Sequence, residues 1–286
     1  MSLIKVISGV CIIPAGTTEI FIDAFDGCSK ITSIKIPACV KKIESAAFDG
    51  LDLDSIDVDV NNLDFFSRGD CLINLKDTRD CKARTALIRG CKNSRIPSGI
   101  KKIEPHAFFG CKSLKSITIP DTVTYIGFSS FEGCTYLEEI IIPSSVIYID
   151  SSAFRGCHAL KKVVFNTTSI KEIYTGLFKD CRSLEEIIVP EGVKSIGDDA
   201  FSGCTRLTSI DIPKSVESVG KNAFHGCVNL QNIKISKSTK FDIDSSFRGC
   251  PDAKAKGLYS GLVESLKKVM DRMEPEISRV RSSLKK

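Results

Sequence analysis

The chain has 286 residues, 42% apolar and 26% charged, with no tryptophan and a formal net charge of +5. That composition can build a hydrophobic core and lies far from the disordered and collagen-like extremes, and +5 without a concentrated basic face gives no reason to expect a nucleic-acid partner. The 13 cysteines are odd in number, so at least one thiol stays unpaired, and their density falls well short of a disulfide scaffold. The opening stretch, MSLIKVISGVCIIPAG, has one Lys, a short apolar run and no small-residue cleavage site, and no window approaches about 18 apolar residues. Neither an export signal nor a membrane span is expected. Cys11, Ile13 and Pro14 already occupy strand positions, which leaves an open edge for the residues before them to cover, or for a preceding segment of a longer chain.

The chain repeats itself. Phe25, Phe48, Phe108, Phe131, Phe154, Phe178, Phe201, Phe224 and Phe247 are separated by 23, 60, 23, 23, 24, 23, 23 and 23 residues. A cysteine follows at Cys28, Cys111, Cys134, Cys157, Cys181, Cys204, Cys227 and Cys250, and Ile-Pro or Val-Pro recurs at Pro14, Pro37, Pro97, Pro120, Pro143, Pro190 and Pro213. A fixed period of this size means stacked units, none able to bury its apolar face alone. In the unit LKSITIPDTVTYIGFSSFEGC, Leu114, Ile117 and Ile119 place a leading Leu and two alternating strand residues inside, with Lys115, Ser116 and Thr118 outside. Pro120 ends the strand, Val123 and Ile126 return to the core, and the Phe131 turn closes the coil before Gly133 bends the chain onward.

These residues resemble the BspA-like subgroup of the leucine-rich repeat family over about 6–250. The resemblance implies a repeat solenoid of short parallel strands and helical turns, and it accounts for the 60-residue interval as a β-hairpin insertion at about 63–96, with strands near Cys71–Leu75 and Thr85–Ile88. Asn166 and Ser236 replace the unit's proline and Leu51 replaces its cysteine, so those rungs depart from the pattern.

Outward strand positions are the ones left for binding. On three successive middle rungs they carry Ile141, Val164 and Ile188, while the neighbouring rungs carry Thr118 and Asp211. Beside that apolar stripe run Glu138 and Glu139, Lys161 and Lys162, and Glu185 and Glu186, a ladder of alternating sign. Two readings stand: β-branched residues and cross-rung pairs that serve the strands, or an apolar centre with a charged rim that binds a protein. Tyr125 and Tyr148, at matching positions one rung apart, form a second candidate surface or a filled flank.

Eight cysteines at constant phase form one column, not the clustered tetrahedron a metal wants, so they are expected to be reduced, buried packing residues. Cys81, between charged residues in the hairpin, is the one expected to be exposed. His106, His158 and His225 lie in different units without a metal or nucleophile motif, and no phosphate-binding or hydrolase signature occurs, so no catalytic residue and no cofactor are expected. Asn166-Thr167-Thr168 is the single glycosylation sequon.

After Cys250 the repeat gives way to residues 251–286, where Leu258, Leu262, Leu266, Val269, Met273, Ile277, Val280 and Leu284 keep a helical period that Pro275 should break or kink after about Glu274. Nine Lys/Arg against five Asp/Glu give this tail +4 of the chain's +5. It reads as an amphipathic capping helix, or as one that self-associates, binds a partner or meets an anionic membrane surface. The resemblance implies protein–protein interaction, with surface adhesion or binding of host or matrix proteins as the role. An intracellular scaffold or regulator is the alternative, to which the free thiols and the missing signal point.

Overall fold

The computed structural model describes residues 5–28, 30–75 and 85–250. The chain winds into a solenoid whose successive coils repeat three bonded stations. The first station is the Ile-x-Ile strand, seen at Val10–Ile12, Ser33–Ile36 and Ser55–Val58, again at Glu139–Ile142 and Lys162–Phe165, and then at Glu186–Ile188, Ser209–Asp211 and Asn232–Lys234. These strands are parallel, and pairs such as Ile140 with Val163 advance by one repeat, so like residues stack on like. The second station is a two-residue strand such as Tyr125–Ile126, parallel to Tyr148–Ile149. The leading Leu and alternating Ile are buried as their spacing requires: Leu137, Ile140 and Ile142 lie at 0–1% exposure, while Ile141 points out.

The third station corrects an expectation. The Phe turns are not helical. The residue two before Phe adopts positive φ at His106, Ser129, Ser152, Gly176, Asp199 and Asn222, and the residue two after it does so at Gly110, Gly133, Gly156, Asp180, Gly203 and Gly226. Left-handed residues at both ends of the turn interrupt an α-helix within one turn. The freed amides bond to the next coil instead: Ser129, Phe131 and Gly133 N–H donate to the carbonyls of Ser151, Ala153 and Arg155 at 3.1, 2.8 and 2.8 Å. From the Phe108 turn to the Phe224 turn this makes a third ladder, and the rings follow it, with seven phenylalanines from Phe108 to Phe247 stacked at centroid spacings of 4.9–5.6 Å. The single α-helical turn among the described residues is Ile243–Ser246. The expected helix over 251–286 and its self-association lie outside the described residues.

At the start, Lys5–Ile7 folds back antiparallel on Val10–Ile12 through Ser8 and Gly9, both at positive φ as a two-residue type I′ turn demands. It covers the edge of the first rung. The insertion is a three-stranded antiparallel meander, Phe65–Arg68, Cys71–Asn74 and Thr85–Gly90, whose last strand then pairs in parallel with Ile100–Ile103 and so joins the second station. Its side chains alternate between two cores. Leu72, Ala86 and Ile88 pack with the N-terminal rungs, and Cys71, Ile73 and Leu87 with the C-terminal ones.

Arg89 and Gly90 close the gap left by the 60-residue interval. Gly90 N–H donates to Ala107 O at 2.8 Å, the bond a Phe would make, and its carbonyl accepts the Cys111 thiol at 3.6 Å. A Cβ on Gly90 would lie 1.9 Å from the Phe108 ring, so only glycine lets that ring seat there. Arg89 is fully buried, and its guanidinium donates to the carbonyls of His106 and Phe109 at 3.2 and 3.0 Å and to that of Leu51. One side chain thus satisfies turns on both sides of the insertion. His106 beside Asp49, Lys92 beside Asp54 and Ser113 bonded to Asp52 add polar stitches along the same seam.

Two further places depart from the regular coil. The 24-residue unit, with Asn166 in place of proline, ends both strand ladders, since Glu139–Ile142 with Lys162–Phe165 form one sheet and Glu186–Ile188 opens another, while the Phe turns run through unbroken. One extra residue shifts the strand amides out of register, and the turn beyond it has recovered. The unit Leu114–Cys134, whose sequence carries every part of the repeat, lacks its first strand: Leu114 and Ile119 are buried, but Ser116–Ile119 run without a ladder. The preceding rung there is the end of the insertion, which bonds back to Leu53 and Gly69 through Lys92 and Arg95 N–H and offers no parallel partner.

Candidate functional site

The strands bring the predicted stripe together. Ile141 pairs in register with Val164, and Ile188 occupies the equivalent outward place on the following rung. Ile188 is 80% exposed and Ile141 50%, with Val164 half-buried between them, and the same position carries exposed Thr118, Asp211 and Lys234 on other rungs. Two separate ladders hold these side chains, Ile141 with Val164 in one and Ile188 with Asp211 in the other.

The rim is arranged in part as a charged ladder. Lys161 Nζ bonds Glu138 Oε2 at 3.0 Å, Glu139 and Lys162 face each other in strand register, and Lys234 meets Asp211 at 3.3 Å. Glu185 meets Arg206 at 3.7 Å on the next rung, on the far side of the ladder break at the 24-residue unit. Each exposed pair is worth about 0.2–1 kcal/mol, so the rim contributes charge pattern more than stability.

Tyr125 and Tyr148 stack with centroids 5.4 Å apart and planes 8° from parallel, and Tyr174, missed by sequence reading, extends the row at 4.9 Å. The 24-residue unit moves Tyr174 past its strand isoleucine, out of the phase in which the other two were found. Tyr125 Oη bonds Asp150 at 3.1 Å, and burial together with Asp150 pushes its hydroxyl well above the usual phenol range. The row lies half-buried on the second-strand flank, separate from the stripe.

The cysteine column has a bonding role that the period did not reveal. Cys134, Cys157, Cys181, Cys204, Cys227 and Cys250 each direct Sγ to the carbonyl of the Phe one coil back, at 3.1–3.2 Å. That carbonyl already accepts the amide of the cysteine in its own turn, as Phe131 does from Cys134 at 3.2 Å, so the thiol fills its second lone pair. All twelve described cysteines are free. Burial raises the thiols of Cys134, Cys157, Cys181 and Cys204, and pushes Cys11 and Cys71 up to about 11. A pKa raised on folding contributes stability that is present below the unfolded value of 9.0 and lost as pH rises through the folded one, so the melting temperature should fall between pH 9 and 11. Cys28, expected in the buried column, is only partly buried, so in native protein at pH 8 iodoacetamide should label it and Cys39 long before the seven buried members, as peptide mass spectrometry would show. Equal rates would contradict the buried ladder. Cys81 lies outside the described residues.

The histidines stay apart, His106 with Asp49 at 2.9 Å and His225 with the Arg248 carbonyl at 3.0 Å. Among the described residues no group of three potential ligands could hold a metal ion, and no helix is long and apolar enough to cross a membrane.

A model of the BspA type leucine-rich repeat region matches 6 copies over residues 9–69, 88–189 and 171–270. Among solved structures, a leucine-rich repeat protein from Eubacterium ventriosum is 27% identical with a TM-score of 0.71, covering 84% of this chain and 64% of its own. A leucine-rich cell surface protein from Faecalibacterium prausnitzii is 29% identical with a TM-score of 0.57 over 80% of this chain and 60% of its own. A T. pallidum leucine-rich repeat protein is 30% identical, with a TM-score of 0.51, over 57% of this chain and 78% of its own. The chain therefore spans less than two thirds of the first two. No curated protein matches it.

Proposed function

The chain belongs to the BspA-type leucine-rich repeat family, a fold that serves as a protein-interaction module, and on that premise we propose that the outward strand face of its middle rungs binds a protein partner. Ile141, Val164 and Ile188 form the apolar centre, with Glu138, Lys161 and Glu185 as rim. The observation that carries the reading is Ile188, 80% exposed on its strand where the following rung places Asp211 in register. An apolar residue held out of the core serves no packing purpose, and contiguous patches of this kind mark interaction sites. The Tyr125–Tyr148 row is a second, flanking surface of the same class.

The partner class we propose is a host or matrix protein, bound in a surface-adhesion role. One similar structure is described as a cell surface protein. The free thiols favour an intracellular scaffold as the second reading. Their burial and bonding to Phe carbonyls weaken that argument, since protonated, enclosed thiols resist oxidation in either compartment. The test is capture of matrix proteins from a detergent extract by the purified chain, compared with Ile141→Lys/Ile188→Lys. The double variant should lose capture with the melting temperature unchanged to within about 2 °C, as expected for surface substitutions. Undiminished capture would remove this face from consideration.

A further inference from the structure

The same solenoid contains a gap in its strand face that the stripe does not use. Among the described residues, Ser116, Ile117, Thr118 and Ile119 exchange no backbone hydrogen bond with the rung before or the rung after. They belong to no strand, and three of the four are exposed or half-exposed. Four consecutive residues whose amides and carbonyls pair with no neighbouring rung form an open strand edge within the stack, a template for pairing with another chain.

A groove of about 1010 Å³ lies along this edge, between it and the end of the insertion. Its walls are Lys92–Ile96 and Ser98 on one side and Ser113 and Lys115–Thr118 on the other, with Pro120 at the end. The volume is at the upper limit of the roughly 300–1,000 Å³ of small-molecule pockets, and its lining runs between the end of the insertion and the unpaired segment. Lys92, Arg95 and Lys115 line it; Lys92 is held by Asp54 and Ser113 by Asp52 behind the walls, whereas no described carboxylate pairs with exposed Arg95 or Lys115.

We propose that this gap takes an acidic peptide segment in extended conformation, added as a strand to Ser116–Ile119, with its carboxylates met by Arg95 and Lys115. Strand addition explains both observations at once: the peptide backbone pairs with the open amides and carbonyls, and the two cations select its charge. Ile96 and Ile117 line the same walls and receive the apolar side chains that alternate with the acidic ones.

The test uses the whole chain and a fluorescein-labelled octapeptide of alternating Glu and Val, followed by fluorescence anisotropy. Three comparisons accompany it: the Lys/Val peptide, the Glu/Val peptide N-methylated at alternate amides, and the Arg95→Glu/Lys115→Glu variant, both positions being exposed so that folding is preserved. Saturable binding is expected, weakened about tenfold or more by each change, as loss of one or two charge-assisted or backbone bonds implies. Absence of binding to the unmodified protein, or binding indifferent to N-methylation, would overturn strand addition. Binding indifferent to charge reversal would overturn the acidic selectivity. Ile141→Lys/Ile188→Lys should leave this affinity unchanged, which keeps the groove's fate separate from that of the stripe.

Discussion

Replacing Arg89 with Met should cost at least about 3 kcal/mol and turn a single denaturation curve into two. The guanidinium is buried and donates to three backbone carbonyls, two on the Phe108 turn and one after the Phe48 turn. Methionine fills much of the volume, yet the Leu51 and Phe109 carbonyls are left unsatisfied at about 1–3 kcal/mol each, while His106 O keeps the Phe109 N–H. Removing a buried charge returns some desolvation cost, but replacing buried charge by apolar groups is neutral only when both partners go, and backbone carbonyls cannot. The damage falls at the seam between two cores, one built from residues 11–91 and the other from 71–250. In a solenoid, stability is a sum of unit terms and nearest-neighbour interfaces, so weakening one interface uncouples what lies on either side. Urea denaturation followed by hydrogen exchange should show the N-terminal core opening first, and Arg89→Lys should recover part of the coupling. An unchanged midpoint and one transition would mean that the seam is held elsewhere.

Phe154→Ala should be as severe, at about 3–5 kcal/mol. The ring is fully buried and stacked on both faces, 5.3 Å from Phe131 and 5.6 Å from Phe178, so alanine opens a cavity and breaks the column into two shorter stacks. Two lost aromatic contacts account for about 0.5–1.5 kcal/mol each, and the cavity for the remainder. Cys157→Ala, which removes only the thiol bond to Phe131 O, should cost about 1 kcal/mol and serves as the control on the same turn. Exchange protection should fall at the Phe131 and Phe178 turns and hardly at the Phe224 turn. A loss below about 1 kcal/mol would show that the ladder of turn amides carries the stack without the rings.

Much of this architecture is legible in the residues because the period repeats the same physical demand at every coil. Leu137, Ile140 and Ile142 are buried, Ile141 is exposed, and Phe and Cys stand in columns, all as their spacing requires. The nature of the turns was not legible. Phe-x-Gly-Cys looks like the end of a helix, and only the residue two before Phe, which varies among His, Ser, Gly, Asp and Asn, reveals the second left-handed position. Those residue types tolerate that conformation, a signal available in the sequence but spread over several units. Arg89 gave no signal at all, since a lone arginine in an insertion has no period to break. The unpaired segment 116–119 gives no signal for the opposite reason: its residues fit the repeat, while the end of the insertion before it in space offers it no parallel partner. Tyr174 fell outside the tyrosine row by the single residue that lengthens its unit.

The most direct test of the recognition reading is site-specific photocrosslinking to a captured matrix partner, with p-benzoylphenylalanine placed at position 188 and, separately, at position 147. Both isoleucines are well exposed, at 80% and 60%, but Ile188 lies on the strand face and Ile147 beside the tyrosine row. Crosslinks from position 188 and few from 147 are predicted. Crosslinks from 147 with none from 188 would contradict the assignment of the strand face and move the binding surface to the opposite flank.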